Sequence, residues 1–70
     1  MKAEEVVIIG ATGAAVGAVA HQKLGISTGN ALIDAALGIG LAFAGWYTDM
    51  DGISDFVEGL GIGYAFDSVF

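Results

Sequence analysis

The chain has 70 residues, no cysteine, and eight acidic against two basic residues, which give a net charge of −6. The absence of cysteine excludes disulfides, thiol catalysis and thiolate metal sites, and the lack of a basic patch excludes nucleic-acid binding through phosphate contacts. Hydrophobic residues make up 56% of the chain and charged residues 14%, whereas a soluble domain has about 25% charged residues. The composition therefore favours a chain that lies in lipid.

The first predicted element is a helix over about residues 5–22. Residues 6–20 carry no charge. The segment reaches the roughly 20 residues that cross a bilayer only when Leu24 is counted, with His21, Gln22 and Lys23 at the interface and the charge of Lys23 extended toward water. Small residues recur along it at helical spacing: Gly10, Gly13, Gly17 and Ala20. In lipid such a face lets another helix approach closely.

Two other interpretations of this first segment stay open. A secretory signal peptide would place Lys2 before an apolar run that ends in Ala-Val-Ala at residues 18–20, although the two glutamates after the lysine do not fit a basic leader. A dinucleotide-binding unit would begin with a strand and a glycine turn over residues 6–13 and use Asp34, about 20 residues beyond the turn. Its glycine spacing differs from the usual fingerprint by one residue.

The second predicted element is a helix over about residues 30–47, with Thr28 or Asn30 as its N-cap. One stripe of small residues follows it with spacings of 4, 3, 4 and 3: Ala31, Ala35, Gly38, Ala42 and Gly45. A second row of small residues runs beside the first: Ala36, Gly40 and Ala44. The pattern predicts helix packing of the glycine-zipper type, but it leaves open which helix faces which.

Residues at the ends of these two segments fit a membrane–water boundary. Trp46 and Tyr47 close the second helix, next to an acidic loop, where an aromatic belt is expected. Lys23 follows the first helix and is the third predicted interface anchor.

The third predicted element is a short helix over about residues 54–68, which contains an internal repeat. Residues 37–43 (LGIGLAF) recur as residues 60–66 (LGIGYAF), with six identities in seven positions. At the same offset of 23 residues, two members of the small stripe of the second helix, Gly38 and Ala42, correspond to Gly61 and Ala65. We therefore expect the third helix to pack in a similar way. Its uncharged stretch is too short to span a bilayer alone.

The acidic segment before the third helix has two interpretations. Residues 49–58 partly overlay a calcium-binding loop, and the carboxylates that would form a weak cation site are those of Asp49, Asp51, Asp55 and Glu58. The position that is normally the first Asp of such a loop is occupied by Tyr47. We favour a solvated acidic turn between helices.

Asp34 and His21 each have a structural and a functional interpretation. An ionisable residue within a membrane segment is by default a candidate for ion or proton passage. Asp34, however, is predicted in the first turn of a helix, where the helix dipole stabilises it. His21 is interpreted as a polar residue at the interface.

Taken together, the sequence predicts an all-α fold: a single membrane-embedded unit over residues 1–70, with a hairpin of two spanning helices and a short third helix. No catalytic constellation or cofactor site is evident, so we expect a structural protein rather than an enzyme. Its expected partners are the lipid bilayer and copies of itself or other membrane or coat subunits, in a cellular membrane or a viral envelope. The alternatives are a membrane-permeabilising peptide of the holin or bacteriocin kind and a soluble helical oligomer.

Overall fold

A computed structural model describes residues 2–70, which form three α-helices and no strand. Helix α1 is Ala3–Gln22, α2 is Ala31–Thr48 and α3 is Ile53–Val69. The prediction of an all-α fold with three helices is confirmed. Because residues 6–13 lie within α1, the strand and glycine turn of a dinucleotide-binding unit are not formed there.

The boundaries of α2 have clear local causes. The side-chain oxygen of Asn30 accepts hydrogen bonds from the backbone N–H groups of Leu32 at 3.0 Å and Ile33 at 3.1 Å. It therefore caps two of the donors that a helix start leaves unpaired. At the other end, Asp49 adopts a left-handed backbone with φ of 52°. This conformation stops the helix and turns the chain toward α3.

Helix α3 lies between the other two helices. It packs against both α1 and α2, whereas within residues 2–70 the backbones of α1 and α2 do not pack closely against each other. Helix α3 runs parallel to α1, since Gly10 lies near Asp55 and His21 near Asp67. Helix α2 runs antiparallel to both α1 and α3, as expected for a hairpin of α1 and α2. Helix α3, however, lies between α1 and α2 and separates the two arms of that hairpin. With 17 residues, α3 is nearly as long as α2, which has 18.

The two copies of the internal repeat pack against each other in α2 and α3. A methyl group on Gly38 would lie 2.6 Å from the carbonyl oxygen of Gly61 and 2.7 Å from the nitrogen of Ala65. Equally, a methyl group on Gly61 would overlap the backbone of Ala42 and Gly38. The two sets of contacts are equivalent, because Gly38 and Ala42 in the first copy of the repeat correspond to Gly61 and Ala65 in the second. The two copies therefore form an antiparallel helix pair with pseudo-twofold symmetry.

The interior of the bundle contains small residues, and the large apolar side chains lie outside. The buried hydrophobic residues of the described chain are Ala35 and Ala65, and the one large side chain that is fully buried is Asp34. In contrast, Leu32 is 79% exposed and Phe43 63% exposed. A soluble domain has the opposite distribution, with its large aliphatic and aromatic side chains in the core.

Candidate functional site

One end of the bundle brings together the C-terminal ends of α1 and α3 and the N-terminal end of α2. Three side chains, one from each helix, lie there in a row, each within hydrogen-bonding distance of the next: Asp34 from α2, His21 from α1 and Asp67 from α3. The helix directions explain why these residues are close. Because α1 and α3 are parallel and α2 is antiparallel to them, the C-terminal ends of α1 and α3 lie beside the N-terminal end of α2. We call these three residues the His–Asp cluster.

Asp34 is the centre of the cluster and is only 1% exposed. Its Oδ1 accepts hydrogen bonds from the backbone N–H of Thr28 at 2.8 Å and from the Thr28 hydroxyl at 2.6 Å. Its Oδ2 accepts from the Ser27 hydroxyl and faces His21 Nε2 at 3.0 Å. The polar loop between α1 and α2 therefore folds over the carboxylate and satisfies it, as a buried charge requires.

His21 joins Asp34 to Asp67. Its Nδ1 lies 2.6 Å from Asp67 Oδ2, and its Nε2 points at Asp34. The Tyr64 ring packs against the imidazole, with the ring centroids 4.9 Å apart and the planes nearly perpendicular. His21 is thus held from three directions, and its side chain is 17% exposed.

The arrangement is suited to holding a proton and joining helices, and not to activating a nucleophile. A nucleophilic serine needs a base whose free nitrogen faces its hydroxyl. Here the Ser27 hydroxyl donates to Asp34, and both nitrogens of His21 face carboxylates.

The His–Asp cluster was not predicted from the sequence, where His21 and Asp34 are interpreted as separate residues. The short loop between α1 and α2 indicates that these two residues lie near each other. The contribution of Asp67 depends on where α3 packs, and no local pattern in the sequence specifies that position.

Most of the residues predicted for helix packing either belong to α3 or lie on the faces of α1 and α2 that contact it. In α2, Ala35, Gly38 and Gly45 are buried, Ala42 is half-buried, and Ala31 is exposed before the contact begins. In α1, Gly13 and Gly17 are buried and Gly10 is half-buried. Gly61 and Ala65 of α3 are buried against α2.

Two further packing glycines in α3 were not predicted. A methyl group on Gly59 would overlap the backbone of Gly10, and one on Gly63 would overlap the backbone of Ala14. Their spacing of four residues is itself a G-x-x-x-G pattern, and this signal would have identified the face of α3 that packs on α1.

The remaining candidate residues lie at opposite ends of the bundle. Lys23 is exposed at the end that holds the His–Asp cluster, while Trp46 and Tyr47 are exposed at the other end, 67% and 86% respectively. The proposed cation ligands belong to that second end: Asp49, Asp51, Asp55 and Glu58. Within residues 2–70, no group of three or more His, Cys, Asp or Glu side chains is placed to hold a metal ion.

Comparison of the chain with protein-family models, with curated proteins and with solved structures finds no significant match.

Proposed function

We propose that this chain is an integral membrane protein with a structural role, embedded as a three-helix unit that assembles with copies of itself or with other subunits of a membrane, coat or viral envelope. The observation that carries the proposal is the distribution of side chains. Glycine and alanine fill the helix contacts, and large apolar residues cover the outside. In lipid, helices associate through close backbone packing while bulky apolar side chains face the acyl chains.

Helix length supports the proposal. Helices α1 and α2 are long and apolar enough to cross a membrane. At about 1.5 Å per residue, the 20 residues of α1 match a hydrocarbon core about 30 Å thick. The long dimension of the bundle is 37 Å, which exceeds that thickness and leaves the ends in the headgroup region.

The outward face of α2 supports assembly with further helices. Its second row of small residues, Ala36, Gly40 and Ala44, is exposed. A methyl group on Gly40 would meet no atom within 4 Å. A small-residue face that is not used within the bundle allows a helix of another subunit to approach closely in the bilayer.

Membrane fractionation tests the proposal. We expect the expressed full-length chain to stay with membranes in alkaline carbonate and to be released only by detergent, because its apolar outer surface is solvated by lipid. Sizing in the same detergent should give an oligomer. A known peripheral protein and a known integral protein in the same preparation serve as controls.

Release by carbonate alone would contradict insertion and favour the soluble oligomer, in which the same apolar surface is buried between subunits. Collapse of the membrane potential on expression would contradict the structural role and favour a permeabilising peptide. The net charge of −6 argues against that activity, because an acidic peptide is repelled by anionic lipid.

A further inference from the structure

The hydrogen-bond geometry of the His–Asp cluster limits the protonation states that it can adopt. Both ring nitrogens of His21 lie within hydrogen-bonding distance of carboxylate oxygens, at 2.6 Å and 3.0 Å. An ionised carboxylate only accepts hydrogen bonds, and a neutral imidazole has one N–H and one lone pair. With a neutral His21 and two ionised aspartates, one of the contacts would therefore set a lone pair against a carboxylate.

We propose that His21, Asp34 and Asp67 form a proton-binding site, which holds one proton more than a neutral histidine and two carboxylates and thereby fastens the ends of the three helices together. The proton resides on the imidazole. Apart from His21, Asp34 accepts three hydrogen bonds, two from Thr28 at Oδ1 and one from the Ser27 hydroxyl at Oδ2, which is the pattern of an ionised carboxylate. The imidazolium then donates from Nδ1 to Asp67 and from Nε2 to Asp34.

The two carboxylates depend on this proton to different degrees. Asp34 keeps its donors from Ser27 and Thr28 when His21 is neutral. Asp67 has His21 as its single hydrogen-bond partner within residues 2–70. A neutral imidazole can donate to one carboxylate only, so loss of the proton breaks one of the two hydrogen bonds that His21 makes to α2 and α3.

The groups that face His21 are few. Asp34 faces it from α2, and Asp67 and the edge-packed ring of Tyr64 face it from α3. Lys23, the cation nearest along the chain, is exposed. The proton-binding site is defined by contacts within one chain, so it does not rest on the proposed membrane role.

Nitrogen-15 NMR of the full-length chain in detergent micelles tests the site directly. His21 is the single histidine of the chain, so its two ring nitrogens need no assignment by mutation. At pH 7.5, an ordinary histidine with a pKa of about 6.5 carries the extra proton in roughly one molecule in ten. We expect both nitrogens of His21 to be protonated in most molecules at this pH.

The variant Asp67→Asn tests whether the carboxylate of Asp67 keeps the proton on His21, because it replaces that carboxylate with an amide of the same size. Its amide can donate to a bare Nδ1, so the neutral imidazole becomes compatible with the site, and we expect the imidazolium fraction at pH 7.5 to fall severalfold. Asp51→Asn, in the exposed turn at the other end, should leave the spectrum unchanged. A wild-type spectrum with one protonated and one bare nitrogen would overturn the proposal, as would an unchanged spectrum of Asp67→Asn.

Discussion

Replacing Asp34 by alanine is expected to cause one of the largest losses of stability available to a single substitution in this chain. The change removes the acceptor for His21, Ser27 and Thr28 at a position that is 1% exposed. Donors left unpaired in a buried site carry their full desolvation cost. We expect the folding equilibrium to shift toward the unfolded state by roughly a hundredfold, measured by circular dichroism during titration of micelles with a denaturing detergent.

Two variants serve as controls for this result. Asp51→Ala removes an exposed carboxylate and should leave the midpoint nearly unchanged. Asp34→Asn keeps one acceptor oxygen and should lose less stability than Asp34→Ala. Equal midpoints for Asp34→Ala and Asp51→Ala would show that the buried carboxylate does not hold the helix ends together.

The second large effect is expected at Gly38. An alanine there would place its methyl group 2.6 Å from Gly61 and 2.8 Å from the methyl group of Ala65, so α2 and α3 would have to separate. Overpacking of this kind costs about 1–3 kcal/mol in well-packed cores. We expect a loss at the upper end of this range, measured in the same titration, because the obstructing atoms at Gly61 and Ala65 include backbone.

Gly40→Ala is the matched control, because it makes the same chemical change in the same helix, two residues away. A methyl group on Gly40 meets no atom of its own chain within 4 Å. In micelles dilute enough to keep the chain monomeric, where the outward row of α2 has no partner, this variant should be neutral or more stable by up to about 1 kcal/mol through reduced backbone entropy. A Gly38→Ala variant as stable as Gly40→Ala would contradict the packing of the repeat described above.

The helices of this protein are predictable because their signals are local. Long uncharged runs, the Asn30 cap and the polar loop before it indicate where the helices begin and end. The 4-3-4-3 spacing in α2 also marks the stripe that includes Gly38. These signals arise from helix geometry and hydropathy, which depend only on neighbouring residues.

The arrangement of the helices is much less predictable. Helix α2 carries two rows of small residues, and nothing local indicates that the row with Gly38 faces α3 while the row with Gly40 faces outward. The His–Asp cluster has the same difficulty. Asp67 is 46 residues from its partner His21, and only the insertion of α3 between α1 and α2 brings them together.

A membrane-embedded bundle must point its exposed apolar residues at lipid, and the accessibility of spin labels in lipid vesicles tests this most directly. The chain has no cysteine, so single cysteines at Val7, Leu37 and Phe43, which are 68%, 53% and 63% exposed, give unambiguous labelling sites. A label at Asp51 reports on the exposed turn. We expect the three apolar sites to collide mainly with oxygen, which concentrates in the bilayer, and Asp51 to collide mainly with a water-soluble relaxation agent. Preferential collision of the three apolar sites with the water-soluble agent would contradict a lipid-facing surface.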